Sequence, residues 1–144
     1  MRLLCYFKSC LEQGILLPSS NLRHLRAYCD FDWASYLMTP HLVTGYLLKL
    51  VPAPISWKTK KQATVSRSSV EEEYRAMSNA TNEVIWIRNL LKFFSVAVPL
   101  ARLYCNNQVA LHIANNPVFH EHTKHIEVDC HFIREHIASS DIQP

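Results

Sequence analysis

Three consecutive glutamates, Glu71 to Glu73, open a stretch of the chain whose apolar residues repeat with helical spacing. Ser68 and Ser69 stand just before them, and a serine at that position can accept a hydrogen bond from a free N–H of the first helical turn. Glu71 and Glu72 each follow a serine by three residues, which is the spacing of a capping box. The sequence therefore predicts a helix that begins here and carries carboxylates in its first turns.

The apolar stripe of this helix indicates where the glutamates point. It consists of residues spaced by three and four positions: Met77, Ala80, Val84, Ile87, Leu91 and Phe94. Extended back by one turn, the stripe reaches Glu73, so this carboxylate is expected to face the protein body, where an unpaired charge is costly. Glu71 falls on the opposite side, four residues before Arg75, and an ion pair there suits a solvated surface. The plainer alternative is that Glu73 is merely favoured by the helix dipole.

The remaining periodicity predicts an α/β sandwich in which one mixed sheet packs against helices. Residues 22–30 alternate between apolar and polar side chains, as a half-buried strand does. The other predicted elements are strands at 41–50, 55–58 and 102–105 and helices at 69–95, 108–114 and from Thr123 onward. Either Asn106 or Asn107 can cap the helix at 108–114. Residues 1–21 are a lead-in and not a domain.

Composition is that of a globular protein. The 144 residues are 49% hydrophobic and 19% charged, with a formal net charge of +3, which suits one domain and permits a polyanionic partner. Five cysteines without a C-x-x-C pair indicate reduced thiols, so we expect an intracellular protein, cytoplasmic or nuclear. No uncharged apolar run approaches the ~18 residues of a membrane span, and no membrane partner is predicted. Only two glycines occur, where average usage gives about ten.

Three polar side chains fall at the ends of predicted elements. Asp30 closes the first strand, Glu73 opens the long helix, and Asn106 follows the fourth strand. In an α/β sheet, the carboxyl ends of strands and the starts of helices form the usual ligand crevice. Oxygen ligands that converge there suit Mg²⁺, which prefers hard ligands in octahedral geometry. The sequence thus predicts a divalent-metal site on Asp30 and Glu73.

Six ordered segments of the chain resemble one known family. They are Tyr28–Ala34, Thr44–Tyr46, Ile55–Gln62, Thr64–Ala76, Leu103–Gln108 and Asn116–Glu127. Together they are similar to the ribonuclease H domain at the end of the Pol polyprotein of copia-type retrotransposons. The resemblance spans residues 22–138, and residues 1–21 resemble the last piece of the reverse transcriptase that precedes this domain. We therefore expect a ribonuclease H-like domain over residues 22–144.

The resemblance implies hydrolysis of the RNA strand of an RNA–DNA hybrid, with the reverse transcriptase part of the same polyprotein as a partner. Family members hold two Mg²⁺ ions with four acidic residues and use them to activate a water. Asp30 matches the first acid and Glu73 the second, as metal ligands and catalytic residues. Asn106 stands where the family has its third acid, an aspartate, and an amide there lacks the charge that attracts Mg²⁺.

Further departures from the family pattern indicate a degenerate, truncated copy. In the family, the fourth acid lies on a last helix that follows a fifth strand. We expect this chain to reach Pro144 without forming the fifth strand or the last helix. Phe31 replaces a residue that is usually small. We therefore expect impaired catalysis. The alternative to an enzyme is a non-catalytic retroelement remnant, at most a weak nucleic-acid-binding fragment.

A basic segment is expected to lie on a loop and to contact the phosphates of nucleic acid. Its residues are Lys58, Lys60, Lys61 and Arg67. Such contacts release counterions and make binding sensitive to salt. A charge run taken alone is more often a solvated surface, so this alternative stays open.

Two other groups of residues invite a functional interpretation and receive a structural one. His122, His125 and Asp129 have helical spacing, but they match no common zinc module, so zinc is not predicted. The three tryptophans are predicted to lie in the core: Trp33, Trp57 and Trp86.

Overall fold

A five-stranded mixed sheet forms the centre of the structure, a computed structural model that describes residues 8–10, 14–19, 24–32, 43–61, 69–115 and 127–144. The strands are β1 (Leu25–Asp32), β2 (Val43–Leu50), β3 (Ala53–Lys61), β4 (Ala101–Cys105) and β5 (Ile142–Gln143). The helices are α1 (Ser69–Phe93), α2 (Gln108–Asn115) and α3 (Glu127–Ala138). Across the sheet the order is β3-β2-β1-β4-β5, antiparallel from β3 to β1 and parallel from β1 to β5. The predicted α/β class is confirmed.

Alternation along β1 explains how the sheet acquires two different faces. Leu25, Ala27 and Cys29 are buried on the face that α1 covers, whereas Tyr28 between them lies on the opposite face. Leu48 of β2 is the register partner of Ala27 and is fully buried beside it. The side-chain period of two therefore sends one half of each strand into the core and leaves the other half outside it.

Helix α1 supplies most of the core that covers this face. Met77, Ala80 and Val84 are completely buried, as the stripe predicts, but Phe94 lies just beyond the helix and is 64% exposed. Tyr74, also fully buried, donates its hydroxyl to the carbonyl of Ala110 at 2.7 Å. This bond joins α1 to α2 and satisfies the only polar atom of a large core side chain.

Two helices end in the same way, with a serine where glycine is usual. Ser95 after α1 and Ser140 after α3 have φ angles of 59° and 57°. After α1, the amide of Val96 donates to the carbonyl of Leu91 at 2.8 Å, and after α3 the amide of Asp141 donates to His136 at 2.9 Å. These are Schellman closures, which need a left-handed residue. The scarcity of glycine is thus met here by serines in a conformation that costs free energy.

The C-terminal end of the chain departs from the sequence-based expectation. A fifth strand was not expected before Pro144, yet Ile142 pairs with Ala101 in parallel and is 1% exposed. Arg88 of α1 donates to Asp141 Oδ1 at 2.8 Å and to the Asp141 carbonyl at 2.7 Å, which fixes the approach to this strand. The prediction of a missing fifth strand was wrong because a two-residue strand is too short to show alternation.

The tryptophan prediction was also wrong where the structure tests it. Trp57 is 60% exposed because it lies on the uncovered face of β3, and Trp86 is 58% exposed on the outer side of α1. The lead-in residues Ile15, Leu16 and Leu17 are exposed as well. Among the described residues, no helix is long and apolar enough to cross a membrane. Several predictions concern residues outside the described ranges: Trp33, Arg67, Ser68, His122, Thr123 and His125.

Candidate active site

The parallel pairing of β1 and β4 brings two of the predicted site residues together. Cys29 and Cys105 are the last register partners of β1 and β4, so Asp30 and Asn106 follow them side by side. Asp30 does not close β1 as predicted, because this strand continues to Asp32 in its pairing with β2. Asn106 Nδ2 donates a hydrogen bond to Asp30 Oδ1 at 3.0 Å. Both side chains are exposed at the carboxyl end of the sheet. This end is where α/β folds place their ligands.

Glu73 reaches the same site from above, in the first turns of α1. It is 1% exposed, and its Oε2 accepts a bond from the Cys105 thiol at 3.4 Å. The prediction that this glutamate faces the protein body is therefore confirmed. Glu71 pairs with Arg75 at 3.3 Å on the outer side of the helix, again as predicted.

Sequence reasoning missed that a second glutamate of the three is buried. Glu72 is 0% exposed, and its Oε1 lies 3.4 Å from Arg75 Nη1. A signal was present in the sequence, because the small residues Ala76 and Ala80 follow Glu72 by four and eight positions and both are buried. The apolar face of a helix is wider than a single line of residues, so an adjacent line can be covered too.

The electrostatics of the site follow from this burial. Burial, the nearby Cys105 thiol and the charge of Asp30 raise the pKa of Glu73 to about 8. The side chain therefore carries a proton in most molecules at neutral pH. The pKa of the Cys29 thiol is raised as well, by its hydrogen bond with Cys105 and by burial. The same hydrogen bond with Cys29 lowers the pKa of the Cys105 thiol to about 6, so the pKa is raised at Glu73 and Cys29 but not at Cys105.

Asn107 supports the site by holding the start of α2. Its Oδ1 accepts a hydrogen bond from the amide of Ala110 at 3.1 Å, so Asn107 is the helix cap. Of the two asparagines that the sequence offered as caps, Asn106 is thereby left for the interaction with Asp30. The cap fixes the chain direction immediately after β4 and with it the position of Asn106.

The basic residues lie on a strand and not on the predicted loop. Lys58, Lys60 and Lys61 all belong to β3, at the edge of the sheet, and all three are exposed. Lysine disfavours strand interiors but is common on edge strands, where it discourages pairing with other chains. Alternation divides the three, because Lys58 and Lys60 share the face of α1 and Lys61 points to the other face.

The donor set does not fit a pair of Mg²⁺ ions. Asn106 presents its amide nitrogen to Asp30, where a metal site would need a further negative oxygen. Glu73 is engaged by a thiol and favours its neutral form. In the described part of the chain, no three His, Cys, Asp or Glu side chains are grouped so that they could hold a metal ion. Asp30 and Glu73 remain the two carboxylates that could contribute to such a site.

The sheet order and the positions of the helices define a ribonuclease H-like fold. Among solved structures, RNase H1 from the halophilic archaeon Halobacterium salinarum matches with a TM-score of 0.59 at 13% identity, covering 83% of this chain and 80% of that one. LC11-RNase H1, crystallised in complex with an RNA/DNA hybrid, matches with a TM-score of 0.53 at 11% identity, covering 77% of this chain and 76% of that one. No protein-family model matches the chain.

Three of the sequence relatives are retrotransposon Pol polyproteins. The chain is 40% identical over 99% of its length to the retrovirus-related Pol polyprotein from transposon RE1 of Arabidopsis thaliana. It is 33% identical over 83% of its length to that from transposon TNT 1-94 of Nicotiana tabacum. The chain spans 10% and 9% of the lengths of these relatives. It is thus homologous to one segment of a retrotransposon Pol polyprotein, as the motifs predicted.

Proposed function

We propose that this chain is a ribonuclease H-type domain that binds RNA–DNA hybrids weakly and hydrolyses them little or not at all. The observation that carries the proposal is the hydrogen bond from Asn106 to Asp30 at 3.0 Å. In a site of negatively charged ligands, the carboxylates repel one another until a divalent cation neutralises them. Here the amide of Asn106 donates a hydrogen bond to Asp30, so this carboxylate is stabilised without a divalent cation. Phosphodiester hydrolysis by two metal ions depends on such cations.

Hydrolysis is the second candidate function. It is favoured by the retention of Asp30 on β1 and of Glu73 in the first turns of α1, near the carboxyl end of the sheet where the fold places its ligands. If a divalent ion binds, these two side chains are the ones that would hold it, and the ion would supply charge neutralisation at a scissile phosphate. The residues themselves would then position that phosphate between β1 and α1.

Hybrid binding is supported by two features. A structural neighbour, LC11-RNase H1, was crystallised in complex with an RNA/DNA hybrid. Three lysines of β3 are exposed nearby and available to phosphates: Lys58, Lys60 and Lys61. We expect affinity that is independent of base sequence and falls steeply with salt, since each phosphate contact releases counterions.

Two measurements test the proposal. Fluorescence anisotropy of a labelled hybrid at two salt concentrations should show weak binding that is lost at the higher one; binding that ignores salt would contradict a phosphate-based interaction. In a cleavage assay with Mg²⁺ or Mn²⁺, labelled RNA should remain intact, as it should with the control variant Glu73→Ala. RNA fragments above the level of that control would establish hydrolysis instead and refute the loss of activity.

The biological setting belongs to the proposal as well. The homology to Pol polyproteins supports a neighbouring reverse transcriptase as partner, with residues 1–21 as the last piece of that reverse transcriptase. An intracellular location, cytoplasmic or nuclear, and a domain over residues 22–144 remain predictions. Co-purification of the tagged chain with the reverse transcriptase segment of the same element would test the proposed partnership with the reverse transcriptase.

A further inference from the structure

Two cysteine thiols meet on the core face of the sheet, next to the carboxyl group of Glu73. Cys29 and Cys105 are register partners on the parallel strands β1 and β4, so their side chains leave the sheet on the same face. Both are free thiols, and they form a hydrogen bond with each other. Neighbouring strands lie about 4.8 Å apart, which is within the Cα separation of about 4.4–6.8 Å that a disulfide needs. The two sulfurs can therefore be joined with little movement of the backbone.

The two thiols differ in what surrounds them. Cys29 is 5% exposed, and its Sγ donates to the carbonyl of Tyr104 at 3.5 Å. Cys105 is half-buried, and its Sγ donates to Glu73 Oε2 at 3.4 Å and accepts a hydrogen bond from the amide of Asn107 at 3.4 Å. An N–H group that points at a sulfur stabilises the negative charge that develops there during nucleophilic attack. Cys105 is therefore the thiol that a small solute in water can reach, and Cys29 is the thiol behind it.

We propose that Cys105 and Cys29 are an oxidisable pair, in which Cys105 reacts with hydrogen peroxide and Cys29 then closes a disulfide with it. A partly exposed thiol beside a second cysteine that can resolve it is the usual arrangement of a thiol that senses peroxide. This modification site lies on the face of the sheet under α1 and does not depend on the proposed binding of hybrids.

The reaction takes place in two steps and needs no oxidant other than the peroxide. In the first step, the Cys105 sulfur attacks one peroxide oxygen and the O–O bond breaks, and the departing oxygen leaves with the thiol proton as water. Cys105 is then a sulfenic acid. In the second step, the Cys29 sulfur attacks the Cys105 sulfur, the S–O bond breaks, and the hydroxyl group leaves with the Cys29 proton as a second water. The two thiols together lose two electrons, and these reduce the peroxide to two molecules of water.

A disulfide between these residues would change the candidate active site directly. The hydrogen that Cys105 donates to Glu73 Oε2 is lost on oxidation, so this buried carboxyl group loses the partner that the structure gives it. The new bond also joins β1 to β4 immediately before Asp30 and Asn106. Peroxide would thus act on the surroundings of the two carboxyl groups without modifying either of them.

The test is peptide mapping of the reduced full chain after treatment with hydrogen peroxide. Remaining thiols are blocked with iodoacetamide, and the digest is analysed by mass spectrometry without reduction. The fragments that contain Cys29 and Cys105 should appear as one cross-linked species that has lost two hydrogen atoms, and dithiothreitol should separate them again. The same treatment in urea should abolish the preference for this pair, because only the fold holds the two thiols together.

Three variants separate the roles of the two thiols. In Cys29→Ala, Cys105 should stop at the sulfenic acid, which dimedone traps at that position. In Cys105→Ala, peroxide should leave Cys29 reduced, because its thiol is buried. Cys130→Ala is the matched control, since Cys130 is also 5% exposed but lies on α3, and this variant should form the disulfide as the wild type does.

Peptide mapping of the wild type decides the proposal even if a variant fails to fold. A native chain in which peroxide joins other cysteines, or in which Cys29 and Cys105 stay reduced until the chain unfolds, would overturn it. Sulfinic or sulfonic acid at Cys105 without a disulfide would overturn it as well, because Cys29 would then not act as the resolving thiol. A cross-link between Cys29 and Cys105 that forms in the native chain and is reversed by dithiothreitol supports the pair as a site of oxidation.

Discussion

Replacing Asn106 by aspartate restores the carboxylate that the family pattern has at this position, and it tests the account of the site most directly. In the present chain, Asn106 Nδ2 donates to Asp30 Oδ1 at 3.0 Å. Asn106→Asp places a carboxylate oxygen where that nitrogen stands, so a hydrogen bond becomes a contact between two negative groups. The change adds no volume and alters no helix or strand, so its effect is electrostatic.

The size of the effect follows from this geometry. Both side chains are exposed, so the dielectric constant of water applies, and two unit charges at this separation repel by about 1.4 kcal/mol. The lost hydrogen bond adds about 1 kcal/mol. We therefore expect Asn106→Asp to lower the free energy of unfolding by about 2 kcal/mol in EDTA at pH 7. At a pH low enough to protonate both carboxyl groups, the repulsion disappears. Most of the difference in the free energy of unfolding between Asn106→Asp and the wild type should then vanish.

Divalent cations should reverse the loss in this variant and not in the wild type. A ligand at 100 times its dissociation constant stabilises the folded state by about 2.7 kcal/mol, which is enough to offset the repulsion. The assay is urea unfolding in EDTA and at increasing Mg²⁺. Asn89→Asp, the same chemical change at an exposed position of α1, is the matched control for general effects of charge and salt. If Asn106→Asp and Asn89→Asp respond to Mg²⁺ equally, the two carboxylates do not form the nucleus of a metal site.

Three further predictions concern the stability of the fold. Ser140→Gly should raise the free energy of unfolding by about 1 kcal/mol, because the φ of 57° strains a serine and not a glycine; an unchanged midpoint in urea would contradict this. Hydrogen bonds from His136 and Ser139 lower the pKa of Asp141, so its contribution is present above the ordinary carboxyl pKa and is lost as the pH falls through the folded value. Asp141→Asn should cost about 1 kcal/mol at pH 7 and flatten the acid limb of the stability curve, and an acid limb identical to wild type would refute the assignment. Tyr74→Phe should cost about 1 kcal/mol, since it removes the hydrogen bond that joins α1 to α2, as thermal unfolding would show.

The central elements were predictable from sequence because burial imposes a period on them. β1 alternates in twos and α1 repeats in threes and fours, and extending the stripe of α1 by one turn located Glu73 correctly. Asp30 and Asn106 were found by their position at strand ends, which holds for any parallel pair in an α/β sheet. Their hydrogen bond was not predictable, since it depends on the register of two strands far apart in sequence.

The errors in predicting secondary structure occurred in two situations. One is a strand too short to show alternation, and the other is an edge strand, where the usual preference against lysine is weaker. The predicted strand ended at Lys58, and Lys60 and Lys61 were assigned to a loop, but β3 continues to Lys61 as an edge strand, where the charged heads reach water. β5 contains two residues and no alternation, and it is held by pairing with β4 and by the contacts of Asp141. In both cases, pairing with an adjacent strand determines a secondary structure that the local sequence does not specify.

The replacement of a ligand by Asn106 also bears on how such a domain keeps its fold when hydrolysis is impaired. Carboxylates gathered at the ends of parallel strands reduce stability unless a cation neutralises them, so a change at such a site need not destabilise the chain. An amide beside Asp30 converts repulsion into a hydrogen bond, and a proton held by Glu73 removes a second charge. Under the proposed function, loss of metal affinity and gain of intrinsic stability would therefore arise from the same substitution. A chain of this kind can retain the ribonuclease H-like fold, and a surface for nucleic acid, independently of catalysis.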